Sequence, residues 1–207
     1  MRTQTKTIQT ILLLGALWGM CEASIGYVLH FLPAGFSGTL MVPIGFYFTY
    51  SAYKLSGKRS AALWVGMIAA SVKLIDLLLP AHSPLSVINP AMAIMLESLL
   101  VFVFAKRFSR ERVFVPALVL GLSWIVLFTL VQALIVKPAS GLYLQPPFQV
   151  AALIVLNALA AGLLITLYLK RQDSPQWKIE MRKPSYALPA MCLALALAME
   201  LANSLVI

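Results

Sequence analysis

The sequence predicts an all-α fold, a polytopic transmembrane helical bundle with six core helices and a seventh at the C-terminus. Three observations carry this. Of 207 residues, 61% are hydrophobic and only 11% are charged, against roughly 25% charged in soluble domains. The apolar residues fall in runs of about twenty, the length a helix needs to cross a bilayer. The basic residues gather between those runs. A β-barrel requires shorter, alternating segments, and these runs do not alternate. The net charge of +9 suggests nucleic acid at first sight. Its confinement to short inter-run clusters matches the positive bias of cytoplasmic loops instead, so no nucleic-acid partner is expected.

The first helix is expected over residues 8–32. Residues 33–39, PAGFSGT, are rich in Gly and Pro and must turn the chain. A short second helix, 40–53, contains Pro43 and Gly45 and is expected to be broken or only partly spanning, which buried backbone or a cavity wall tolerates. The third helix covers 61–79. The fourth covers 90–105, with Pro90 suited to a first turn. The fifth covers 113–136, the sixth 148–169 and the seventh 186–207. In domain terms, residues 1–171 form a six-helix membrane unit, 172–185 a basic cytoplasmic loop, and 186–207 an additional span. The start of the chain resembles a signal peptide in charge, but its apolar segment is too long and no small-x-small cleavage site follows. Residues 8–32 are therefore kept as a helix. Cys21 and Cys192 lie at different depths and show no disulfide or metal spacing.

Charge sets the expected orientation. With the N-terminus in the cytoplasm of a prokaryotic plasma membrane, the inner side holds Arg2, Lys6, Lys54, Lys58, Arg59, Lys106, Arg107, Arg110, Arg112, Lys170, Arg171, Lys178, Arg182 and Lys183. These are 14 of the 16 basic residues. Lys137 falls outside and Lys73 within the membrane, and the C-terminus is external.

The acids are distributed the opposite way. Of seven, four lie inside expected helices: Glu22, Asp76, Glu97 and Glu200. An ionisable side chain in hydrocarbon is costly and marks a functional site by default. Glu22, Gly26 and His30 follow at intervals of four, so they share one face of the first helix. Gly15, Gly19 and Ala23 lie on or beside that face, and small residues so spaced admit a second backbone. Lys73 and Asp76 are one turn apart and can pair. Asn89, Ala93 and Glu97 share a face of the fourth helix. Counted in depth, Glu22, His30, Lys73, Asp76, Asn89 and Glu97 converge on the outer half and form the candidate substrate site. A lateral packing role competes with a site role for Glu200, and His82 reads as a loop residue. The N and O donors of Glu22, His30, Asp76, His82 and Glu97 suit a borderline divalent metal, but no ligand motif is present. No catalytic motif or phosphate loop appears either, so neither an enzyme nor a cofactor is expected, and ATP is not hydrolysed by this chain.

The series GALWGMCEASIGYVLHFLPAGFSGTLMVPIG, a basic loop, AASVKL and NPAMAIMLESLL resembles the substrate-binding S subunits of energy-coupling factor transporters, over residues 8–171. The resemblance implies a six-helix membrane fold with a pocket in the outer half. It implies capture of a vitamin-like compound or a metal ion, with a membrane coupling subunit and ATPase subunits as partners. It also implies that Gly15, Gly19 and Ala23 contact the coupling subunit. Two departures stand out: the seventh helix is extra, and the small and polar stripes of the first helix overlap. Two other classes are carried beside it, a stand-alone proton-coupled secondary transporter and a non-transport membrane assembly protein or enzyme.

Overall fold

The computed structural model describes residues 2–29, 31, 36–78, 84–109, 112–137, 141–172 and 186–206. Among these residues the chain forms seven helices and no strand. Helix α1 runs Arg2–Cys21, passes through a π-helical turn at Glu22–Gly26 and ends with Tyr27–Leu29. Helix α2 is Phe36–Ser56. Helix α3 is Ser60–Leu74, tightened at its end into a 3-10 turn, Ile75–Leu78. Helix α4 is Pro84–Phe104. Helix α5 is Phe114–Val131, continued by a second π-helical turn, Gln132–Val136. Helices α6 and α7 are Pro147–Gln172 and Ala187–Val206.

Five of these helices are long and apolar enough to cross a membrane, and α7 adds a shorter apolar stretch, Ala187–Asn203. The chain is a multi-pass helical membrane protein. Helix α2 is continuous through Pro43 rather than broken. Its 21 residues reach about 31 Å at the α-helical rise, comparable to the hydrocarbon thickness. Helix α4 starts six positions earlier than expected. Pro84 takes the first position, where a missing N–H costs nothing, and Pro90 lies inside the helix.

Packing follows the small residues. Helix α5 lies along α6, α3 along α4, and α1 contacts α2, α3 and α7. At the α5–α6 seam Gly121 faces Ala158 and Ala161, which lets the two backbones approach. One core cluster joins α2, α4, α5 and α6 around Phe46, Leu120, Ile125 and Ile165. A second joins α1, α2, α3 and α4 around Trp18, Val65 and Ile94. Polar links tie helices at matched depth: Thr39 Oγ1 donates to Asn157 Oδ1 at 2.7 Å, and Ser51 and Tyr168 share a 3.0 Å hydrogen bond, both joining α2 to α6.

Candidate functional site

A cavity of about 290 Å³ lies between α1, α2, α4, α5 and the turn after α5. Its walls come from the C-terminal part of α1, the N-terminal halves of α2 and α4, and the C-terminal half of α5. It therefore occupies the end of the bundle opposite the basic residues Lys54, Lys58, Arg59, Lys106 and Arg107. Helix α1 contributes Glu22, Gly26 and Leu29, and helix α4 contributes Asn89, Ala93 and Glu97. Glu22 with Gly26, and Asn89 with Ala93 and Glu97, follow the four-residue spacing read from the sequence.

Glu22 opens the π-helical turn of α1. Its carboxylate lies along its own helix, so that a Cβ added at Gly26 would stand 2.8 Å from Glu22 Oε2. Glu97 comes from the middle of α4, with 3% of its surface exposed. Its Oε2 has no hydrogen-bond partner among the described residues. That oxygen rests against the backbone of Gly45 on α2, where an added Cβ would overlap it and would also approach Trp18 Cζ2 to 2.6 Å. The glycine thus makes the space in which Glu97 sits.

Helix α5 supplies what sequence reasoning missed. Gln132 lines the cavity, and its Nε2 donates to Asn89 Oδ1 at 3.1 Å. Gln132 also opens the second π-helical turn, closed by the Lys137 N–H donating to the Gln132 carbonyl at 2.7 Å. Both π-turns of the described chain thus begin at a polar cavity residue, and such turns are frequent at functional sites. The signal available was a lone amide inside the apolar run FTLVQALIV. Trp124 and Phe128, stacked with ring centroids 5.0 Å apart, complete the aromatic wall. The Trp124 ring covers Gly38 of α2, where a Cβ would overlap it.

Lys73 and Asp76 are not in this cavity. They pair as their spacing suggests, Lys73 Nζ donating to Asp76 Oδ2 at 2.7 Å. The same ammonium also donates to both carboxylate oxygens of Glu200 on α7, at 3.2 and 3.1 Å. Asp76 and Glu200 are buried, and Asp76 Oδ1 has no hydrogen-bond partner among the described residues. Beside this cluster Asn203 Nδ2 donates to the Ala23 carbonyl, within the π-turn of α1, at 2.7 Å. Lys73 and Asp76 therefore join Glu200 in an ion cluster adjoining Glu22 rather than lining the cavity with it, with α7 packed on α1 and α3. The seventh helix is thereby latched to the bundle. His30 and His82 lie outside the described residues.

The small stripe of α1 is also used internally. Gly15, Gly19 and Ala23 are buried. A Cβ at Gly15 would stand 2.7 Å from Ile68 Cβ, and one at Gly19 would stand 3.1 Å from Val72 Cγ2, both on α3. At Gly15 and Gly19 the close approach is made by the chain's own α3. Among the described residues no group of three or more His, Cys, Asp or Glu side chains is placed to hold a metal ion. Cys21 and Cys192 are free thiols.

No protein-family model, curated protein or solved structure matches the chain.

Proposed function

We propose that this chain is the solute-capturing component of an uptake system. In this reading it lies in a prokaryotic plasma membrane with its N-terminus in the cytoplasm and its cavity toward the outside. The observation that carries the reading is the convergence of Glu22 and Glu97, from separate helices, on one cavity that also receives the Asn89–Gln132 amide pair. Keeping one buried and one half-buried carboxylate within membrane-spanning helices is costly unless they serve a ligand or a proton. Among the described residues no basic side chain lines the cavity. The site therefore suits a hydrogen-bond-donating or cationic organic solute, and the Trp124–Phe128 stack offers such a cation an aromatic face. A volume of about 290 Å³ sits at the small end of ligand sites, which run from about 300 to 1,000 Å³.

Energy for uptake would come from a separate ATP-driven coupling module, because the sequence has no phosphate loop. That module would dock away from Gly15 and Gly19, which α3 already covers. A stand-alone proton-coupled carrier is the second reading, favoured by the same two carboxylates. Uptake by the purified chain in vesicles, driven by a pH gradient alone, would select it.

Native mass spectrometry after gentle purification tests capture. The expected result is a small molecule retained by the wild-type chain and lost from Glu97→Gln. Equal retention by both proteins would count against the cavity as the site.

A further inference from the structure

Beside the polar cavity runs a second space, an apolar groove of about 390 Å³ between α3, α4 and α5. Leu74 of α3, Met92 and Leu99 of α4, and Val131 of α5 line it, and every lining side chain is a hydrocarbon, a thioether or a phenyl ring. Leu74, Met95 and Leu99 are exposed there, so in this multi-pass protein the groove opens onto the bilayer. It extends along α4 from Ile88 to Leu99, about 16 Å at the α-helical rise.

The two spaces meet at Phe128, which lines both. Helix α4 lies between them with two adjacent faces. Asn89, Ala93 and Glu97 turn to the cavity, and Ile88, Met92 and Met95 turn to the groove. Phe128 is only half-buried and stacks on Trp124, so one ring is shared between a polar chamber and an apolar groove open to lipid.

Resting on the cavity reading above, we infer that the captured solute is an amphiphile. Its donor or cationic head sits against Glu22 and Glu97, and its hydrocarbon tail lies in the groove, reached past Phe128. An apolar groove alone would be filled by any acyl chain. Adjacency to a carboxylate-lined chamber, across the shared Phe128 ring, is what assigns this one to the tail of a headed molecule. Entry is then lateral, from the outer half of the bilayer.

The test compares two primary amines, dodecylamine and butylamine, binding to the full chain in lipid nanodiscs, with uptake by empty discs subtracted. Wild type is expected to bind dodecylamine about tenfold or more tighter. Met92→Trp, which fills the groove, should bring dodecylamine down to the butylamine level and leave butylamine unchanged. Met95→Trp, at an exposed position of the same groove, provides a second block should Met92→Trp fail to fold, as a melting curve will show. Glu97→Gln should weaken both amines. Equal affinity of wild type for the two amines, or dodecylamine binding indifferent to both groove blocks, would overturn the tail assignment while leaving the cavity reading intact. Failure of both amines to bind wild type would overturn the cavity reading, and this inference with it.

Discussion

Replacing Lys73 by Met removes one ammonium and leaves two carboxylates facing each other across α3 and α7. Lys73 Nζ stands 2.7 Å from Asp76 Oδ2 and 3.1 Å from Glu200 Oε2, with side-chain exposures of 11%, 0% and 2% for the three residues. At such separations each attraction is worth roughly 5 kcal/mol at an effective dielectric of about 20. Much of that offsets the desolvation of the ions. Deleting only the cation removes the attraction and keeps the desolvation, which costs about 3–5 kcal/mol. Lys73→Met should therefore lower stability by that amount, read as denaturant unfolding in one fixed detergent. The triple variant Lys73→Met, Asp76→Asn, Glu200→Gln keeps the shapes without the charges and should recover most of the loss, since a neutral cluster has no stranded ion. Wild-type stability in Lys73→Met, or a triple variant no better than the single one, would refute the view that this ion cluster latches α7.

Gly19→Leu should destabilise the chain by about 1–3 kcal/mol through overpacking against Val72; an unchanged melting temperature would show that α3 does not depend on this stripe. Gly45→Ala places a methyl where Glu97 Oε2 now sits, beside the fully buried Trp18, so the carboxylate must move. Loss of solute retention is expected, and full retention would show that Glu97 can hold its role from another position. Cysteines introduced at Ser56 and Ser109, in a background lacking Cys21 and Cys192, should be labelled from the cytoplasm, and one at Ser140 from outside. External labelling at Ser109 would invert the orientation.

The hydrophobic runs made the helices legible because a span must be apolar over its whole length. Ends were harder where prolines cluster. Pro84 and Pro90 are both acceptable starts, and only packing decides that α4 passes through the second. The faces carrying Glu22 with Gly26, and Asn89 with Glu97, follow from helical periodicity alone and recur on one cavity. The Lys73–Asp76 pair was legible for the same reason. Its third member was not, because Glu200 lies 127 positions away and no local pattern links them. Gln132 carries no charge, and an amide in an apolar run resembles a packing residue until its partner, Asn89, is seen. The two π-turns, Glu22–Gly26 and Gln132–Val136, were not legible in helical periodicity. The small stripe was recognised as an interface, but sequence spacing cannot say whether the second backbone belongs to another protein or, as here, to α3.

The claim that Glu22 serves a bound solute is tested most directly by measuring solute affinity and ligand-free melting temperature on the same purified Glu22→Gln protein. The side chain keeps its shape and loses its charge. A charge-assisted hydrogen bond is worth about 1.5–3 kcal/mol, so affinity for the solute recovered from wild type should fall roughly ten- to hundredfold. Ligand-free stability should stay level or rise slightly, because a carboxylate half-buried beside Gly26 no longer has to be desolvated. Unchanged affinity together with a large loss of ligand-free stability would contradict the account and make Glu22 a structural lock on the π-turn of α1.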